Sequence, residues 1–256
     1  MTENGQLLLE LRNLEKSFGG LRALQGASLE IAQGQTVALV GDNGAGKSTL
    51  VKAIAGIQPA DSGQIRLRGQ DVTISSPKDA GEMGIEVVYQ DLALANSLDV
   101  AGNIFLGEEP LKVKLGWFSV PDTKQMDAET AETLERLRIR IPDPGRPVAN
   151  LSGGQRQAVA IGRSIRKGAR ELLVLDEPTA ALGVEEVRKV LGLIGTLKDE
   201  GQTMMIVSHD LEHVFMVSDL IAVMRQGRVV ATVKTSDVTK TDVVGLIVGD
   251  IEGAVA

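Results

Sequence analysis

Gly41, Asp42, Asn43, Gly44, Ala45, Gly46, Lys47, Ser48 and Thr49 form a glycine-rich run between an unbroken apolar stretch, 36–40, and a helical pattern over 47–55. A Gly-x4-Gly-Lys-Ser sequence between a buried strand and a helix is suited to cradling phosphates. Its glycines let the backbone curl so that successive N–H groups converge on an anion, and the helix start adds a favourable dipole. Lys47 supplies a mobile cation for the β- and γ-phosphates of a nucleotide, and Ser48 a hydroxyl ligand for Mg²⁺. The alternative is a plain glycine-rich turn before a helix; the strand in front of it favours the phosphate site.

Two carboxylates, Asp176 and Glu177, end a second apolar run at 172–175. Open α/β sheets place their ligand crevice at such strand ends. One carboxylate is suited to holding Mg²⁺ through water, and the next to activating an attacking water. Two acids before Pro178 can also be a solvated turn. His209 follows a further apolar run, 203–207, and is a candidate γ-phosphate contact because its neighbouring strand ends carry the phosphate chemistry; His213 is read as structural. Gln90 stands where the strand-rich part gives way to a helical segment. Its amide can offer oxygen to Mg²⁺ and nitrogen to water, which suits a sensor at a moving joint.

Leu151, Ser152, Gly153, Gly154 and Gln155 precede a helical pattern with Ala158, Ile161 and Ile165 inward, expected to end near Gly168. Ser152 is an ordinary N-cap. A Ser-Gly-Gly helix start is equally an anion site with free N–H groups. Two phosphate-binding helix starts on one nucleotide fold imply a dimer in which each chain's second site covers the other's nucleotide.

The elements that must position these residues are strands and helices in alternation. Alternating apolar residues mark strands at 7–14, 27–31 and 64–67, and buried runs mark strands at 36–40, 172–175, 203–207 and 220–224. Gly56 is placed to end the helix over 47–55. Val187, Val190, Leu191, Ile194 and Leu197 give a helix closed by Gly201. Strand–helix–strand repetition implies a mainly parallel sheet. The stretch 91–150 breaks that rhythm: Pro110, Gly116 and Pro121 punctuate it before a helix bearing Met126, Thr130, Leu134 and Leu137, with Asp122 and Gln125 as its cap. Pro142, Pro144, Gly145 and Pro147 then form a rigid connector. The segment reads as a helical insertion in one nucleotide-binding unit.

Composition narrows the classes of partner. A net charge of −7 and 2% aromatic residues argue against a nucleic-acid surface. No apolar run is long enough to span a bilayer, and the first residues lack the basic start and apolar stretch of a signal peptide. The absence of cysteine excludes disulfides and thiolate metal sites, and fits a cytosolic location.

The order from the phosphate loop through Gln90, Leu151–Gln155 and Asp176-Glu177 to His209 resembles the ATP-binding subunit of an ABC transporter over the whole chain. The resemblance implies a P-loop NTPase core of 1–90 and 160–256, with an N-terminal antiparallel β subdomain, and a helical subdomain of 91–159 carrying the signature pentapeptide. It implies ATP and Mg²⁺ as cofactors, with Lys47, Ser48 and Thr49 on phosphates and metal and Asp176 supporting Mg²⁺. Glu177 becomes the general base, His209 the switch histidine, and Gln90 the joint facing a membrane subunit. Ser152, Gly153, Gly154 and Gln155 cover the nucleotide of a partner copy, and Phe18 takes the position that stacks on adenine; from residues alone, Phe18 is better read as core. The implied partners are a second copy on ATP binding, integral membrane permease subunits and, indirectly, an extracytoplasmic solute-binding protein, with the chain peripheral on the inner face of the membrane.

The finer resemblance, at 88–94, 103–108 and 152–161, is to single-domain sugar-import ATPases of the ribose and fructose type. One departure stands out: where the family has Ser-Ala-Leu-Asp, this chain has Ala180, Ala181, Leu182 and Gly183, which places cooperativity between sites in question. The rival readings are a non-transport ATPase of the same superfamily and a nucleotide-dependent interaction module.

Overall fold

The computed structural model describes residues 6–115, 118–166 and 171–250; Gly116 and Gly168, expected to break the chain and to end a helix, lie outside them. The chain forms two compact units, one from Met1–Val87, Arg170–Pro178 and Lys198–Ala256, the other from Val88–Ala169 and Thr179–Leu197. The second overlaps the expected helical subdomain of 91–159 and extends beyond it.

In the first unit, β1 (Leu7–Phe18) and β2 (Leu21–Ala32) are long antiparallel partners. Then come β3 (Thr36–Val40), α1 (Lys47–Ile54), β4 (Ser62–Leu67), β5 (Gln70–Val72), α2 (Pro77–Glu82) and β6 (Ile85–Val88). The order β2-β1-β4-β5 makes an antiparallel sheet. β3 is buried at every residue, as a strand covered on both faces must be.

The second unit contributes α3 (Val100–Ile104), β7 (Leu111–Leu115), β8 (Phe118–Pro121), α4 (Thr123–Arg136) and α5 (Gly153–Ile165). The remaining elements are β9 (Leu172–Asp176), α6 (Val184–Asp199), β10 (Met204–Val207), α7 (Leu211–Val217), β11 (Leu220–Arg225), β12 (Arg228–Lys234) and α8 (Lys240–Val248). The large sheet has the order β12-β11-β3-β10-β9-β6. β11, β3, β10 and β9 run parallel, and β12 adds antiparallel at one edge. Parallel neighbours end on the same side, so Val40, Val207 and Asp176 leave the sheet together. A P-loop-type α/β core with an antiparallel N-terminal sheet is therefore what the chain builds.

The second unit is centred on Val100, Ile104, Phe105, Met126, Leu134 and Val159. Asp122 caps α4 by accepting from the Gln125 N–H, as its spacing predicts. Within the punctuated stretch, β7 and β8 pair antiparallel. Asn103 is fully buried and makes four hydrogen bonds: it accepts from the Ala95 N–H at 2.7 Å and donates to the carbonyls of Ala95, Leu98 and Asp99. Arg163 of α5 donates to the carbonyls of Leu92 and Ala93. Together these bonds fix the segment that follows Gln90. Asn103→Ala removes every partner at once and is expected to cost about 3 kcal/mol. Urea denaturation measures the loss; a change below about 1 kcal/mol would show that the segment is held by other means.

Candidate functional site

The phosphate loop is shaped by close backbone approaches. Gly41 lies under the Met224 carbonyl, where a Cβ would collide with the oxygen. Gly46 has φ +107°, and a Cβ there would sit 2.7 Å from the Ala23 carbonyl oxygen. Gly46 is also the N-cap of α1, and no side chain caps that helix. The first N–H groups of α1 are thus left for an outside acceptor, which is the requirement for anion binding.

Lys47 is buried and donates to the carbonyls of Gly41 at 2.6 Å and Asp42 at 3.0 Å. Burial lowers its pKa, while the carboxylates of Glu177, Asp42 and Asp176 act in the opposite direction. Asp176 has its pKa raised, first by burial and next by Glu177, against the pull of Lys47 and Lys52. Ser48 is exposed and has no side-chain hydrogen-bond partner among the described residues. A hydroxyl and a carboxylate in surplus negative charge form an oxygen donor set that suits Mg²⁺. No group of three or more His, Cys, Asp or Glu that could hold a metal occurs among the described residues.

Glu177 and His209 meet. His209 Nδ1 lies 3.0 Å from Glu177 Oε1 and 2.9 Å from Oε2. Against an ionised carboxylate, Nδ1 must be the protonated nitrogen. Glu177 itself has φ +51°, the left-handed region in which a non-glycine residue is strained. Its N–H is held by the Val207 carbonyl at 2.9 Å. A cavity of about 290 Å³ has Gly41, Asp42, Asn43 and His209 on its wall, with Leu211 and Ile247 beside them. The first unit thus brings together the phosphate loop, Lys47, Asp176, Glu177 and His209. His213, expected to be structural, lies 3.4 Å from the α7 cap residue Asp210.

In the second unit Gln90 is an exposed residue in the bend after β6. Ser152 caps α5 with a complete capping box, accepting from the Gln155 N–H while the Gln155 side chain accepts from the Ser152 N–H. Ser152, Gly154 and Gln155 line a cavity of about 720 Å³ together with Arg138, Arg140 and Lys189. Sequence reasoning missed Glu186, whose carboxylate accepts from the Gly183 N–H at 3.2 Å. Its carboxyl is held below the usual carboxylate range, first by the Ser152 hydroxyl and then by the Gly183 and Gly154 N–H groups. The one local signal was a Glu three residues after Gly183, half of a capping box; its packing against Gly154 crosses more than thirty residues of chain.

Phe18 departs from the core reading that its residue type suggests: it is 42% exposed at the end of β1, with Lys16 Nζ 5.7 Å from its ring centre. An exposed aromatic at that place suits stacking on a base. Phe18→Ala is expected to weaken ATP binding by about 1 kcal/mol or more and to leave the melting temperature nearly unchanged. Titration with a fluorescent ATP analogue checks it; unaltered affinity with a lowered melting temperature would return Phe18 to the core.

The sequence profile of the family described as ABC transporter matches residues 24–180. The chain is 46% identical over 224 residues to a xylose/arabinose import ATP-binding protein of Sulfolobus acidocaldarius, covering 87% of this chain and 86% of that protein. It is 40% identical over 245 residues to a fructose import ATP-binding protein of Rhizobium meliloti, covering 94% of each. Among solved structures, a nucleotide-free ATP-binding cassette from an ABC transporter superposes with a TM-score of 0.80 at 27% identity, over 95% of this chain and 96% of that one. The profile spans more than half of the chain, and the chain belongs to the ABC transporter family as one of its ATP-binding cassettes.

Proposed function

We propose that the chain is the ATP-hydrolysing subunit of a membrane importer for a monosaccharide, working as a pair of copies beneath integral permease subunits that receive solute from an extracytoplasmic binding protein. The observation that carries the hydrolytic part is the Glu177–His209 pair beside the phosphate loop, with nitrogen-to-oxygen distances of 2.9 and 3.0 Å. The solute class rests on the names of the relatives, which import xylose, arabinose and fructose. No helix among the described residues is long and apolar enough to cross a membrane, so the passage itself falls to other subunits.

The loop N–H groups and the start of α1 take the phosphates of ATP, and Lys47 exchanges its loop carbonyls for β- and γ-phosphate oxygens. Ser48 and Asp176 would hold Mg²⁺, which would neutralise phosphate charge next to two carboxylates. Glu177 accepts a proton from a water as the water oxygen bonds to the γ-phosphorus. The bond from that phosphorus to the β–γ bridging oxygen breaks, and ADP leaves with the electron pair. His209 fixes the carboxylate through Nδ1–H, so the base is oriented before the water arrives. Phe18 stacks on adenine. Ser152, Gly153, Gly154 and Gln155 engage the nucleotide of the second copy, and Gln90 carries the change to the permease.

Glu177→Gln keeps the shape of the side chain and removes the base. Turnover is expected to fall by about a thousandfold, and the variant should run as a dimer on gel filtration only in the presence of ATP. Unchanged phosphate release would remove Glu177 from the mechanism.

A further inference from the structure

The phosphate loop rests on the turn between β11 and β12. Arg225 pairs with Arg228, so Gln226 and Gly227 make that turn. Both are left-handed, with φ +48° and +78°, as the tight turn of a twisted hairpin requires. Met224, just before the turn, covers Gly41 with its carbonyl. A Cβ built at Gly46 would lie 2.8 Å from Met224 Cε and 3.4 Å from Gly227 Cα.

Gly227 is tied on both sides. Its N–H donates to the Ala45 carbonyl of the loop at 2.8 Å, and its carbonyl accepts from the Gln25 N–H of β2 at 2.9 Å. The left-handed φ asks for glycine here, and so does space: a Cβ at 227 would lie 2.8 Å from the Ala23 carbonyl oxygen and 3.1 Å from the Gln25 nitrogen. The β11–β12 ladder closes without either tie, so the two bonds act on what the turn touches.

The Ala45–Gly46 peptide is trans, and in a trans peptide the C=O and the N–H point in opposite directions. Holding the Ala45 carbonyl on Gly227 therefore turns the Gly46 N–H away from the hairpin. That N–H has no acceptor among the described residues, and it directly precedes α1, whose start no side chain caps. Glycines on both sides of Ala45 leave this peptide little stiffness of its own.

We infer that Gly227 is a positioning residue for the phosphate loop: by fixing the Ala45 carbonyl, it aims the Gly46 N–H at the phosphates of the nucleotide. This rests on the proposed reading that the loop takes those phosphates. Gly227 touches no reacting atom. Its hold on the loop is the same before and during cleavage, so it acts mainly on nucleotide affinity and little on the chemical step.

The test places glycolic acid at position 227 of the semisynthetic full chain, which exchanges the N–H for an ester oxygen and adds no side chain. Gly227→Ala is the second variant, adding the Cβ that the Ala23 carbonyl opposes. ADP affinity is read by titration calorimetry, KM and kcat from steady-state ATP hydrolysis, and the melting temperature on the nucleotide-free chain. The ester chain is expected to bind ADP about threefold to tenfold more weakly and to raise KM for ATP by a similar factor, while kcat falls far less. Gly227→Ala should weaken ADP binding at least as much; if it does not fold, the ester chain decides alone. Lys47→Ala reports on the loop itself. If Lys47→Ala weakens ADP binding while the ester chain binds ADP as the wild type does, at whatever melting temperature, Gly227 serves the hairpin alone and the inference is overturned, with the reading of the loop intact. If Lys47→Ala leaves ADP binding unchanged, the loop does not hold phosphates, and both fall.

Discussion

The site depends on one backbone constraint: the chain must turn sharply as it leaves β9, so that Asp176 and Glu177 face the loop that follows β3. A left-handed glutamate costs about 1–3 kcal/mol relative to an unstrained residue. The turn is held from both sides, by the Val207 carbonyl on the Glu177 N–H and by His209 on its carboxylate. Both holders come from β10 or the residues just after it, the strand that lies between β3 and β9. Parallel pairing of β3, β10 and β9 is what lets three distant stretches of sequence share one edge. The strain at Glu177 is thus supported by the sheet, which also holds the carboxylate in place.

Charge makes this edge selective. Lys47 is a buried ammonium whose acidic neighbours oppose the effect of burial, and Asp176 is a partly desolvated carboxylate beside a second one. Phosphates brought here would face two carboxylates, so one lysine and a bare helix start are insufficient compensation. A divalent cation held by Ser48 and Asp176 would balance the charge.

Much of this was legible in the residue order. The Gly-x4-Gly-Lys-Ser run, the buried strands before Lys47 and Glu177, and the helix opening at Ser152 are local patterns, and local patterns survive in one dimension. Residue type alone assigns Phe18 to the core, and the structure leaves it 42% exposed. The β7–β8 hairpin was read as punctuation because Pro110, Gly116 and Pro121 mark breaks without saying what lies between them. The left-handed Glu177 and the packing of Glu186 against Gly154 were invisible for a different reason. Each depends on residues more than twenty-five positions away, and no spacing rule reaches that far. The grouping of residues 179–197 with the second unit is likewise a property of packing.

The decisive question is whether Glu177, oriented by His209, performs the chemical step. The most direct measurement is single-turnover cleavage of radiolabelled ATP by quenched flow, comparing the wild-type chain with His209→Ala at enzyme in excess over nucleotide. In His209→Ala, ATP should bind with near-normal affinity and the cleavage step should slow by about a hundredfold, because the base is present but no longer held. Cleavage at the wild-type rate in His209→Ala would contradict it, and would mean that the Glu177–His209 bond serves the fold and not the chemistry.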